Sequence, residues 1–185
     1  KQTRSINCAP YFLRRKKMIF VTVGTHEQPF DRLLKGVDKM IADGLINEKV
    51  IMQKGYTNYD PIHCEAYKLI GYDKMNEYIS EARIVVTHGG PASFIAPLTI
   101  GKIPIVMPRQ QEYNEHVNNH QLEFAREVEK RMKNIIVVEN ENELQDAILN
   151  YDKKVKECKK ETINNNENFN LKLEEIVKDM FESEK

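Results

Sequence analysis

Four segments of this 185-residue chain bring together side chains that chemistry can use. The first, Gly24-Thr25-His26-Glu27-Gln28, follows a short apolar run. Its glycine permits a tight turn and close approach of a ligand. A helix starting after such a turn offers free backbone N–H groups to a phosphate, and Thr25 adds a hydroxyl donor. His26 and Glu27 form a candidate acid/base pair, although sequence neighbours seldom point at one another. An ordinary strand-to-helix turn fits the same residues. The second segment is Thr87-His88-Gly89-Gly90-Pro91-Ala92-Ser93. Its paired glycines remove side chains where a ligand would meet backbone. Ser93 stands where a helix is capped or a phosphate held. His88 fits a donor, a base or a structural imidazole. The spacing is neither a Walker A loop nor GxGxxG.

The third segment, 108–121, contains Arg109, Gln110, Gln111, Glu112, Glu115, His116, Asn118, Asn119, His120 and Gln121. So many amides and imidazoles are costly to bury without partners, and they suit the hydroxyls of a sugar. Arg109 can face a diphosphate. Read as a helix, Glu112, His116 and His120 fall four apart on one face. That is metal-site spacing without the HExxH order, and a solvated helix start is the plainer alternative. The fourth segment is Gly71-Tyr72-Asp73-Lys74-Met75, where an aromatic beside free amides can hold a nucleobase.

Strands alternating with helices must position these segments. Apolar β-rich runs predict strands at 18–23, 49–54, 67–72, 83–87, 103–107 and 135–138. Helical spacing predicts helices from Pro29 onward and at 75–79, 91–100, 115–132 and 141–149, with Pro97 near the end of the third or disturbing it. A terminal helix is expected at 171–180, after a charged, asparagine-rich stretch at 151–170. The pattern is α/β: a mainly parallel sheet with helices on both faces. Ligands in such folds bind beyond the carboxyl ends of the strands.

Composition narrows the classes. With 41% apolar residues, the chain supports one sizeable core. Cys8, Cys64 and Cys158 are widely spaced without a CxxC, so nothing supports a disulfide framework or structural zinc. Residues 1–17 carry six Lys or Arg and no acid, leaving 22 basic against 28 acidic residues beyond them. The main body therefore lacks the basic excess of a nucleic-acid binder. The basic leader reads as a flexible or added segment, or as a contact for anionic lipid or a partner. No apolar run approaches 18 residues, and the leader lacks a signal peptide's apolar stretch. The expected organisation is a leader at 1–17, a binding domain at 18–150, and a charged linker with a docking helix at 151–185.

These residues together resemble glycosyltransferase family 28, specifically the C-terminal, donor-binding domain of its peptidoglycan-precursor N-acetylglucosaminyltransferases. The resemblance covers roughly residues 18–149. FVTVGTHEQPFDRLL at 20–34, VVTHGGPASF at 85–94 and GKIPIVMPRQQEYNEHVNNHQLEF at 101–124 are similar to the small catalytic subunits of two-component transferases. One such group builds bacterial capsular or exopolysaccharide repeats; a eukaryotic group extends a dolichol-linked precursor. The resemblance implies a single Rossmann-like GT-B donor-binding domain. It also implies inverting transfer of a hexose, preferably galactose, from a UDP-sugar to a polyprenyl-diphosphate-linked sugar. Gly24 and Thr25 would face the diphosphate, Tyr72 and Met75 the base, and His88, Gly89, Gly90 and Ser93 the phosphates. Arg109 would join them, with Gln110, Gln111, Glu115, His116 and Asn119 near the sugar. His26 is the local candidate base, the partner supplying one otherwise. No cofactor or metal is implied.

Partners would be a membrane-anchored acceptor-binding subunit and the lipid-linked acceptor, without nucleic acid and with self-association open. The chain would then work in the cytoplasm at the inner face of the membrane. The larger enzymes carry a ribose-gripping glutamate where this chain has Ala96. The resemblance thus implies weaker donor binding or another residue in that role. Two rival readings stand beside it. One is a non-catalytic enhancer or scaffold subunit; the other is a domain related to nucleotide-sugar epimerases, which need both halves of the fold in one chain.

Overall fold

The computed structural model describes residues 18–158. The expectations for the leader at 1–17 and the helix at 171–180 lie outside the described residues. Six parallel strands run in the order β3-β2-β1-β4-β5-β6. They are β1 Met18–Thr22, β2 Lys49–Gln53, β3 Glu65–Tyr67, β4 Ile84–His88, β5 Ile105–Met107 and β6 Ile136–Val137. The helices are α1 Asp31–Ala42, α2 Tyr72–Glu81, α3 Pro91–Thr99, α4 His120–Met132, α5 Glu141–Leu149 and α6 Tyr151–Glu157. This is the Rossmann-like arrangement, and its chain reverses direction across the sheet between β1 and β4.

β1 and β4 are buried at all five positions, because a parallel sheet covered on both faces has no solvent side. Alternate residues serve opposite faces. Ile19, Val21 and Val23 pack with Leu33, Leu34, Val37 and Leu144 of α1 and α5. Met18 and Phe20 pack with Tyr78 and Ile79 of α2. Phe94, Leu98 and Ala125 of α3 and α4 cover Val106. Each such side chain contributes about 1.5–3 kcal/mol on burial.

Two expectations shift. The third strand is Glu65–Tyr67, paired to β2 from Ile51↔Glu65 to Gln53↔Tyr67, and not 67–72. Tyr72 instead opens α2, because Gly71 takes the extended conformation of a helix N-cap (φ −64°, ψ 158°). The long helix expected at 115–132 starts only at His120. A 3₁₀ turn at Gln111–Tyr113 and a left-handed Asn114 (φ 56°) precede it. Glu112, His116 and His120 therefore do not share a helix face, and the metal-site spacing does not form. Pro97 sits near the end of α3.

Candidate functional site

A cleft of about 560 Å³ opens at the carboxyl ends of β1, β2 and β4, where the chain leaves the paired strands β1 and β4 for opposite faces of the sheet. Gly24, Thr25 and His26 form one wall, and α3 contributes Ser93 and Ala96. The opposite wall is Ile70, Tyr72, Met75 and Asn76 at the start of α2. Thr22, Gln53, His88 and Gln121 line its floor and back. Among the described residues, no Lys, Arg, Asp or Glu lines this cleft.

The glycines are explained by one imidazole. His88 is 9% exposed at the end of β4. A Cβ on Gly24 would collide with His88 Cε1, and one on Gly90 with His88 Nε2. Gly24 also takes a φ of 74°, which L side chains rarely adopt. Burial pushes the His88 imidazole down to about 4; the nearby Arg109 charge acts in the same direction, and a hydrogen bond with the Thr22 backbone opposes them. His88 is thus a neutral platform clasped between two glycines. Gly89 faces away from the cleft, where a Cβ would press on Gln121 Cβ at 3.0 Å and Pro108 Cα at 3.1 Å.

A small network fixes the floor. Thr22 Oγ1 donates to Gln53 Oε1, Gln53 Nε2 donates to the Gly24 carbonyl at 3.1 Å, and the Gly24 N–H donates to Thr22 Oγ1 at 3.3 Å. Above it, α2 and α3 both begin at the cleft without a side-chain cap, at Gly71 and Gly90. Two helix N-termini without side-chain caps suit a polyanion, since their dipoles favour negative charge; at α3 the Ala92 N–H and the Ser93 hydroxyl are the donors, because Pro91 has no N–H and the Ser93 N–H bonds the Gly90 carbonyl at 3.0 Å. Tyr72 is 80% exposed beside them, free to meet a planar ring.

The segment after β5 behaves differently from its expectation. Arg109 is 1% exposed and does not face the cleft. Its guanidinium donates to the carbonyls of Val23 (3.0 Å), Gln28 (2.7 Å), Pro29 (3.3 Å) and Glu115 (3.2 Å). Burial lowers its pKa to about 10, with Glu115 opposing, so it stays charged at neutral pH. A buried cation is tolerable only when its charge is well solvated by partners, and these carbonyls take both terminal nitrogens, while Nε is buried without a hydrogen-bond partner among the described residues. Glu115 is likewise buried. It accepts from Arg32 Nε (2.9 Å) and Nη2 (2.8 Å), and from the Gln110 N–H (3.1 Å). Gln110 Nε2 donates to the Glu139 carbonyl at 2.7 Å. Gln111 is exposed, and its N–H donates to Asn119 Oδ1 at 2.8 Å. Arg109, Gln110, Gln111, Glu115 and Asn119 therefore form a clasp that shapes the loops around the cleft without lining it.

Two histidines remain near the opening. His26 lines the cleft, and its Nδ1 accepts the Gln28 N–H at 3.1 Å. In the neutral ring the proton then sits on Nε2, which donates. His116 lies beside it, with ring centroids 5.0 Å apart. The sequence-based candidates that converge in the cleft are Gly24, Thr25, His26, Tyr72, Met75, His88, Gly90 and Ser93. Gln121, which also lines it, belongs to the third segment named from the sequence, while Thr22, Gln53 and Asn76 fall outside all four segments. A polar Gln53 closing the apolar KVIMQ strand is a usable signal; Asn76 carries none apart from its helix.

Comparison with known proteins fits this geometry. Residues 18–180 match the family model described as the glycosyltransferase family 28 C-terminal domain. The chain belongs to that family. It is 32% identical over 123 residues to the human UDP-N-acetylglucosamine transferase subunit ALG13, and 31% identical to the mouse protein of that name. Each match covers 62% of this chain, which spans about a tenth of those relatives' length. The glycotransferase of kitacinnamycin has the same fold (TM-score 0.56, 18% identity, 84% of this chain and 41% of that one). So does the spinosyn forosaminyltransferase SpnP (TM-score 0.52, 15% identity, 76% and 36%). Both place the chain's architecture among GT-B-type folds.

Proposed function

We propose that this chain is the donor-binding part of a UDP-sugar-dependent glycosyltransferase that acts with a separate, membrane-anchored acceptor-binding subunit. The carrying observation is the cleft itself: two helix N-termini without side-chain caps meet over a glycine-clasped neutral histidine where the chain leaves β1 and β4 for opposite faces of the sheet. A diphosphate fits between the helix ends, and the uracil fits against Tyr72 and Met75. The donor's hexose then lies toward His26 and Gln121. Galactose is the sugar favoured by likeness to the bacterial capsular subunits, and N-acetylglucosamine by the names of the mammalian relatives. The acceptor is a polyprenyl-diphosphate-linked sugar, which places the complex at the cytoplasmic face of the membrane. No helix among the described residues is long and apolar enough to cross a membrane.

In an inverting displacement, the acceptor hydroxyl attacks the anomeric carbon while the diphosphate leaves. The α3 N-terminus and Ser93 stabilise the charge that develops on the leaving group. The attack needs a base. With Nδ1 accepting the Gln28 N–H, a neutral His26 ring carries its proton on Nε2, which favours a hydrogen-bond donor there and a base on the partner. Neither a cofactor nor a metal is part of this reading.

Calorimetric titration with UDP, against ADP and GDP, tests the proposal. Selective micromolar UDP binding is expected; equal binding of all three, or none by the folded chain, sinks it. Ala96 in the cleft wall favours a second reading, a subunit that supports transfer without gripping donor. That reading requires Ser93→Ala to leave transfer by the assembled pair unchanged, whereas the first requires a loss of tenfold or more.

A further inference from the structure

The nucleoside half of the cleft holds one carboxamide without a partner. Asn76 lies on α2, one turn past Tyr72 and on the same helix face, and it lines the cleft with Tyr72, Met75 and Ile79. It is exposed, and its side chain has no hydrogen-bond partner among the described residues. The other amides and imidazoles of the cleft are committed. Thr22 and Gln53 bond one another and the Gly24 peptide. Gln121 Oε1 accepts the Arg109 N–H at 3.3 Å, and His26 Nδ1 accepts the Gln28 N–H at 3.1 Å. The His88 ring is clasped between Gly24 and Gly90.

The ribose joins the base to the diphosphate, so it lies between the Tyr72–Met75 wall and Ser93. Two lining residues stand one turn on from those points: Asn76 on α2 and Ala96 on α3. Ala96 packs against the apolar cluster that contains Ile79, which brings α3 against α2 at this depth. The Ala96 methyl can make no hydrogen bond. The Asn76 carboxamide offers an acceptor oxygen and two N–H donors. Vicinal hydroxyls each donate and accept, so one carboxamide can meet both. Being neutral, it does this without placing a second negative charge beside the diphosphate.

We infer that Asn76 is the residue by which this chain holds the ribose, its Oδ1 accepting from one of the 2′ and 3′ hydroxyls and its Nδ2 donating to the other. The cleft thereby selects ribonucleotides over deoxynucleotides from α2, opposite an α3 wall that cannot. Both hydrogen bonds replace bonds to water, so together they contribute a preference of about tenfold. This inference rests on the proposed UDP-sugar site and adds the residue that reads its ribose.

The test is titration of the natural chain, Asn76→Ala and Asn76→Asp with UDP and with 2′,3′-dideoxyuridine diphosphate. Asn76 is an exposed helix residue and alanine is the better helix former, so Asn76→Ala retains the fold. The natural chain should prefer UDP by about tenfold. Asn76→Ala should reduce that preference to about twofold by weakening UDP, with the dideoxy analogue bound as before. Asn76→Asp keeps an acceptor, so it should retain a preference of about fivefold while its charge weakens both nucleotides. A preference that Asn76→Ala leaves unmoved overturns the inference alone. So does an equal loss for the two nucleotides in that variant, which would place the carboxamide against the base or the phosphates, and so does an Asn76→Asp chain without preference. Failure of UDP to bind the natural chain overturns the site assignment, and the inference with it.

Discussion

The glycine turn after β4 and the polar segment after β5 leave adjacent strands at the same edge of the sheet, yet they use polar groups in opposite ways. Around residues 88–93, side chains are few and small, and α3 starts without a side-chain cap, with Pro91 lacking an N–H, the Ser93 N–H turned back to the Gly90 carbonyl at 3.0 Å, and the Ala92 N–H and the Ser93 hydroxyl without a partner among the described residues. Across 108–119, side chains are numerous and charged, but Arg109, Gln110 and Glu115 are consumed by partners within the protein. A ligand needs groups whose hydrogen bonds are still available. By that measure the poorer-looking turn is the binding surface, and the richer segment is the frame that holds it.

Breaking the frame should cost stability before it costs affinity. Glu115→Ala leaves Arg32 and the Gln110 N–H without their acceptor in a site that is almost closed to water. Removing one member of a buried pair costs about 3–5 kcal/mol, so a loss near 4 kcal/mol is expected from urea denaturation. Under conditions where the variant is still folded, its UDP affinity should stay within about threefold. A variant that keeps its stability and loses UDP would reverse the roles of the two regions.

The same comparison has a pH form. His88 belongs to the ligand side but is buried as deeply as the frame. Its folded value of about 4 lies below the ordinary 6.5, so the unfolded chain binds the proton more readily between those limits. The stabilisation is complete above pH 6.5 and is lost as pH falls toward 4, by about 3 kcal/mol in all. Denaturation followed from pH 7 to pH 4.5 should show this slope, and His88→Asn should flatten it. A slope of unchanged size in the variant would assign it to other groups.

Smaller again is the expected effect of filling the space beside that imidazole. Gly90→Ala has an ordinary φ of −72°, so backbone strain is not the issue. Its methyl would strike a ring that Gly24 blocks from retreating on the other side. Overpacking of this kind costs about 1–3 kcal/mol, and the displaced ring would intrude where the phosphates bind. A roughly 30-fold loss of UDP affinity is expected, with Gly101→Ala as the contrasting variant, because its φ of 75° strains the backbone outside the cleft while its Cβ meets open space. Equal affinities in the two variants would remove His88 from the account of the cleft.

Much of this was legible in the sequence because it rests on local rules. Continuous apolar runs gave β1, β2 and β4, since strands buried on both faces tolerate nothing else. Glycines directly after two of those runs marked the cleft. What could not be read was the fate of the polar side chains. Arg109 and Glu115 carry the same signature whether they meet a ligand or one another, and only the fold brings Arg32 across 83 positions to settle it. The helix start at His120 was obscured for a related reason. Residues 115–119 have acceptable helical composition, but the anchoring of Glu115 and the left-handed Asn114 keep that stretch out of the helix. The third strand was misplaced because β3 is set by pairing with β2 rather than by its own apolar content.

The smallest predicted effect probes the one place where the cleft departs from the larger family members. Ala96 lines the cleft on the second turn of α3, facing the space assigned to the nucleoside, and it offers no acceptor there. Ala96→Glu would supply a carboxylate for the ribose hydroxyls, and hydrogen bonds to a charged acceptor contribute about 1.5–3 kcal/mol. The same carboxylate would stand in a cleft that also holds a diphosphate, and that repulsion offsets part of the gain. A net improvement of about 1 kcal/mol, or roughly fivefold in Kd for UDP, is expected. The 2′-deoxy analogue separates the two effects, because it lacks one donor but carries the same phosphates. It should bind the variant no better than it binds the natural chain. If both nucleotides weaken together, repulsion alone is acting, and the ribose lies elsewhere than against Ala96.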